Sequence, residues 1–203
     1  MATVERNAIT PVNVVAATAE PVTVAELKAH LQYAQSFTGS DQELQGYLVA
    51  AREQWESDCG VVCCDSRWRI SLDQWPAADV GFHIPARPVS SVVSIQYVDT
   101  AGATQTWASS NYTLDAGRGS PVVWYAYNVT TPSLRSQRNA VTITYQAGYA
   151  SAAAVPQRWK QAILLLAGHW AEQRLPVVIG TISGEVPLTY ERLVAANMRS
   201  TYP

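Results

Sequence analysis

Apolar positions recur along this chain with two different periods, and the points where the period changes divide it. Up to about Pro21, Ala, Val, Thr and Pro follow one another with no helical spacing, which predicts an extended arm. Thr23 followed by Glu26 carries the signature of a capping box, and Val24, Leu27 and Leu31 then line one face of a short helix. Ser40 with Glu43 repeats that signature. Behind it Leu44, Leu48, Ala51 and Trp55 predict a stronger helix that stops at Cys59 and Gly60. Two short helices joined by a short loop cannot cover their own apolar faces, so another part of the chain or another subunit must do so.

From about Val61 to Tyr149 the period shortens. Trp68, Ile70 and Leu72 alternate with Arg69 and Ser71, as in a half-buried strand. Val92 to Val98 and Thr104 to Trp107 flank Asp99-Thr-Ala-Gly102, which predicts a hairpin. Tyr112 to Leu114, Val122 to Tyr125 and Val141 to Tyr145 add further strands. No helical crossover separates these runs, so the sheet should be antiparallel. Helical spacing returns after Pro156: Trp159, Ala162, Ile163, Leu166, Ala167 and Trp170 form a wide stripe that Leu164 and Leu165 extend nearly round the helix. This predicts a central, largely buried helix ending before Pro176.

The expected architecture is therefore α+β: a helical bundle built from the N- and C-terminal helices, with an inserted antiparallel β-sheet region. Its parts are an extended N-terminal arm (1–22), a helical hairpin (23–60), a β-rich insertion (61–150), the central helix of the bundle (151–176) and a C-terminal docking tail (177–203).

Composition narrows the function. Of 203 residues 48% are hydrophobic and only 15% charged, against roughly 25% charge in ordinary soluble chains, so part of the surface should be covered by other chains. The net charge of -2 supplies no basic field for phosphate backbones. Met1 to Asn7 does not read as a secretory signal, and the longest apolar run, Ala162 to Ala167, is far too short to span a bilayer; synthesis in the cytoplasm and no membrane anchor are expected. Cys59, Cys63 and Cys64 are odd in number and clustered, which suits reduced thiols better than a disulfide framework.

Candidate chemistry is sparse. His30, His83 and His169 are scattered, and His169 with Glu172 lacks the second histidine that a zinc helix needs. Ser183 stands one place too late for a serine-hydrolase elbow, and Gly117 to Ser120 lacks the Lys-Ser/Thr of a phosphate loop. No catalytic residue, metal or cofactor is expected, and the chain should not be an enzyme. Seven tryptophans and ten tyrosines leave a carbohydrate- or receptor-binding tail module as the alternative.

Six strings in order carry a resemblance: Ala19 to Leu31, Trp68 to Pro76, Ile84 to Val92, Val141 to Tyr149, Pro156 to Arg174 and Gly180 to Pro187. Together they resemble the head-tail connector (adaptor) proteins of long-tailed bacteriophages, in the branch with a β-rich insertion. The chain departs from that pattern at Gln35-Ser-Phe-Thr-Gly-Ser40, where family members carry an acidic stretch. The resemblance implies a virion structural protein at the neck, or head-tail junction. It implies a homo-oligomeric ring, a dodecamer, bound to the portal protein and offering a platform to a neck, stopper or tail-terminator protein. Genome DNA would cross the lumen without sequence-specific binding. Val177, Val178 and Ile179, set between Pro176 and Gly180, form a β-prone apolar segment that would invite pairing if left in water. With Leu188, Tyr190 and Leu193 they are the candidate inter-subunit or portal interface.

Overall fold

The box at Thr23 closes as its residues require. In the computed structural model, which describes residues 10–117, 120–173 and 188–197, Thr23 Oγ1 accepts the Glu26 N–H at 3.2 Å and Glu26 Oε2 accepts the Thr23 N–H at 2.7 Å. Helix α1 (Val24–His30) follows. The second box does not form. Ser40, with ψ 7°, makes no side-chain capping bond ahead of α2 (Asp41–Cys59). The Glu43 carboxylate instead accepts the Tyr47 hydroxyl one turn on, at 3.1 Å. Helix α2 ends on Gly60, whose φ of 61° suits the left-handed stop.

The described chain is an α+β mixture of four helices and two antiparallel sheets. It divides into two units. Met1–Ala17 and Asp65–Gly148 make the first; Thr18–Cys64 and Tyr149–Pro203 make the second.

The first unit carries strands β1 (Val12–Val15), β2 (Ser66–Leu72), β3 (Phe82–His83), β4 (Val89–Val98), β5 (Thr104–Trp107), β6 (Tyr112–Asp115), β7 (Val122–Tyr125) and β8 (Val141–Ala147). Five of them form a sheet in the order β1-β2-β8-β4-β5, and the other three a smaller sheet, β3-β7-β6. Val12–Val15 is thus an edge strand hydrogen-bonded to β2, where the residue pattern alone suggests only an extended arm. One transverse row shows how the alternation is used. Ile70, Ile143, Ile95 and Trp107 stand opposite one another across four strands, and all four are buried. Each fully buried isoleucine contributes about 1.5–3 kcal/mol over its exposed state. The next row, Ser71, Thr142, Gln96 and Thr106, lies on the other face and is polar throughout. The β4–β5 turn is held by Asp99, whose Oδ1 accepts the Ala101 and Ala103 N–H groups at 3.0 and 2.9 Å, while Gly102 takes a φ of 90°.

The second unit is helical. Helix α3 (Gln157–Glu172) lies along α2, and α4 (Leu188–Asn197) touches both. Leu44, Leu48, Ala51 and Trp55 from α2 and Trp159, Ile163 and Leu166 from α3 are all buried, with the Trp55 and Trp159 rings 6.3 Å apart. The α3 stripe is narrower than its sequence suggests. Leu164, Leu165 and Trp170 are only half-buried.

Candidate functional site

Helix α4 separates the interface residues expected from sequence. Leu188 is 68% exposed, Leu193 is half-buried and Tyr190 is 3% exposed. Tyr190 turns inward because its own chain satisfies it at both ends. The ring meets Trp55 edge-on at 6.0 Å, and the hydroxyl donates to Asp58 Oδ2 at 2.8 Å. Seven residues on, and so on the same helical face, Asn197 Oδ1 accepts the Trp159 indole N–H at 3.2 Å. Tyr190 and Asn197 therefore fasten α4 to α2 and α3, which leaves Leu188 as the most outward of the three expected residues on α4. Val177, Val178 and Ile179 lie outside the described residues.

The polar cluster of the helical unit is built on Arg52. Its Nε donates to Glu20 Oε2 at 2.8 Å and its Nη1 to Glu56 Oε2 at 2.7 Å, while Glu56 Oε1 accepts the Cys63 N–H at 2.7 Å. This ties the segment before α1 to the body and the far end of α2. Burial pushes the Glu56 carboxyl above the ordinary range, against the pull of the Cys63 N–H and Arg52. The chemistry next to it is muted. Burial and the neighbouring Glu56 carboxylate drive the Cys63 thiol up, and burial with Glu20 pushes Cys64 up to about 11. A thiol so held stays protonated at neutral pH and is a poor nucleophile. Cys59 is buried as well, and none of the three forms a disulfide. Among the described residues no group of histidines, cysteines and carboxylates is arranged to hold a metal ion.

Six aromatic residues of the sheet unit, Trp75, Phe82, Tyr97, Trp107, Tyr112 and Tyr125, pack on one another. Trp75 packs on Trp107 at 4.9 Å, on Tyr97 at 5.7 Å and edge-on to Phe82 at 5.9 Å, and Tyr125 meets Phe82 at 5.5 Å. Their polar tips are tied to backbone: Trp75 Nε1 donates to Pro132 O and the Tyr125 hydroxyl to Pro76 O, each at 2.8 Å. These rings are thus engaged with one another and with bonded tips, while Trp75, Tyr97 and Tyr125 remain half-buried. Tyr127, fully exposed, stands outside these ring pairs.

Sequence patterns did not flag Lys28, at 3% exposure the most buried charged residue among the described residues. Its ammonium pairs with Asp41 Oδ1 at 2.5 Å and donates to Phe37 O at 2.7 Å. The one available signal is its place beside Leu27 in a short helix whose next ten residues, Leu31 to Ser40, carry no charge.

No family model matches the chain, and no curated protein does. Solved structures do. The chain is similar to one from the neck of an empty GTA particle computed with C6 symmetry, at 24% identity and a TM-score of 0.79, covering 96% of this chain and 98% of that one. The likeness is one of fold. A chain from the virion of the native gene transfer agent particle is similar at 24% identity and a TM-score of 0.77, and one from the neck of the native GTA particle computed with C12 symmetry at 23% and 0.74. Both cover 96% of this chain and 98% of the other, so the likeness extends to both units.

Proposed function

We propose that this chain is a head-tail connector, or adaptor, subunit: one copy in a ring at the neck of a phage-like particle, between the portal protein and the next neck, stopper or tail-terminator component. The observation that carries the proposal is the nearly end-to-end likeness of fold to chains from GTA necks. A twelvefold ring suits both of the symmetries in which those necks were computed, since a twelvefold object is also sixfold. Copies related by rotation make heterologous contacts that close on themselves. Scarce charge, a chain assembled by packing and thiols held unreactive all favour a structural part over an enzyme.

In this reading the virion is where the protein works, and genome DNA crosses the lumen without sequence-specific contacts, in keeping with the net charge of -2. Val177, Val178 and Ile179, with the outward Leu188 and the half-buried Leu193, meet a neighbouring copy or the portal. Tyr190 holds α4 in place for that contact. The test is mass measurement and electron imaging of the purified chain with and without portal rings from the same particle. The proposal requires a ring of this chain on the portal; a portal whose mass and image are unchanged by the chain excludes it.

A further inference from the structure

Nine large hydrophobic side chains are exposed among the described residues, and five of them fall in two places: Tyr33 and Phe37 on the α1–α2 loop, and Val12, Val14 and Val15 on β1. Each place has features that isolated exposed residues lack.

The loop is built to hold its backbone, and with it the Phe37 ring, in place. Phe37 is 58% exposed, yet its carbonyl is gripped by the buried Lys28 ammonium and its N–H donates to Ala34 O at 3.1 Å. Its ring lies over Gly39, where an added Cβ would come within 3.0 Å of Phe37 Cζ. Tyr33 N–H donates to Lys28 O, and Gln35 Nε2 reaches Ala25 O at 3.2 Å. Burying an ammonium is costly, and here it fixes a surface loop. From Leu31 to Ser40 the loop has no charged residue, and after Leu31 it holds only aromatic, amide, hydroxyl and small side chains. Aromatic enrichment with charge depletion is the composition of the centre of a protein–protein contact, and rigidity lowers the entropy lost on binding.

The valine strand has the matching character. β1 is the edge of its sheet, and a bulge between Asn13 and Val15 turns Val12 and Val15 to the face of their register partners Arg69 and Arg67. Both arginines are exposed. The surface thus offers apolar side chains flanked by two guanidinium groups. An aromatic loop without cations suits it on both counts: valines cover the ring edges, and arginines stack on ring faces without like-charge repulsion.

We propose that the Leu31–Ser40 loop of one copy docks, through Phe37, on the β1 edge of the next copy. This rests on the ring reading above and names one contact that would close the ring. A knob and its seat on one chain, but at different places, give a head-to-tail contact of the kind rotation can close.

The test uses the full chain. Two differently tagged variants, Ser36→Cys, which leaves Phe37 in place, and Val14→Cys, both at exposed positions, are mixed and treated with a short bismaleimide; the native cysteines are buried and stay unlabelled. Circular dichroism and melting first check that each variant folds as the wild type does. The expected product is a cross-link joining the two tags, in clear excess over links within either tag. Separately, Phe37→Ala should weaken self-association by about thirtyfold, the loss of one hot-spot residue, whereas Tyr127→Ala should leave it unchanged. If the wild type forms rings alone or on portal rings but the mixed-tag link is no commoner than same-tag links, the contact is wrong and the ring reading stands. If the wild type neither self-associates nor assembles on portal rings, both fall.

Discussion

The Tyr190 hydroxyl donates to Asp58 Oδ2 at 2.8 Å, joining α4 to the last turn of α2 across 132 residues of sequence. Burial and the Asp58 carboxylate both raise the Tyr190 pKa. A phenol held neutral in the fold contributes stability that is complete below its unfolded value, about 10, and is lost as pH rises beyond it. Tyr190→Phe should therefore cost about 1–2 kcal/mol near neutrality and should flatten the loss of stability above pH 10 or so. Urea titrations of both proteins at several alkaline pH values check the slope.

Trp159 and Trp170 fall on one stripe of α3 but are not equivalent. Trp159 is 6% exposed, packs against Trp55 and Tyr149 and donates to Asn197; Trp170 is half-buried. Trp159→Ala should cost about 3–5 kcal/mol, as other large-to-small aromatic changes in cores do. Trp170→Ala should cost clearly less. Thermal melts of the two variants give the order, and equal losses would contradict the packing described here.

Glu56 should give an unusual pH dependence. Because its folded pKa is raised, its contribution to stability is fully present below the ordinary carboxylate value and is lost as pH rises through the folded value. Glu56→Gln cannot ionise, so stability of the variant should change less than that of the wild type across and just above the carboxylate range. Denaturant melts from mildly acid to neutral pH supply the comparison.

Thiol reactivity follows from burial. At pH 8 the native chain should react with a disulfide reagent slowly at Cys63 and Cys64, and unfolding in guanidinium should release three thiols at once. Counting thiols by absorbance before and after denaturation tests this. A fast native thiol would show that the α2 end opens readily.

What could be read from the sequence was what neighbours in sequence decide. Thr23 and Glu26 are three residues apart, and Asp99 and Gly102 bracket a tight turn; both local structures form as expected. Ser40 and Glu43 have the same spacing as Thr23 and Glu26, but Tyr47 competes for the Glu43 carboxylate. Pairing of Val12 with Arg69 joins residues far apart in the chain, and three valines and one asparagine carry too little pattern to announce it. The inward turn of Tyr190 depends on Asp58 in the same way. An amphipathic spacing shows that a helix has an apolar face but not which of its members reaches a distant polar partner.

The place of β8 in its sheet has a consequence for synthesis. Strands β2 and β4 do not pair with each other; the sheet is completed between them by the intervening β8, which is the last of the eight in the chain. The helical unit is likewise divided, with α1 and α2 made early and α3 and α4 made last. Neither unit can complete its core while the ribosome is still translating residues before Val141, so the nascent chain waits with both halves open. Folding is then a closing event near the end of translation, unlike the usual order in which an N-terminal domain is finished first.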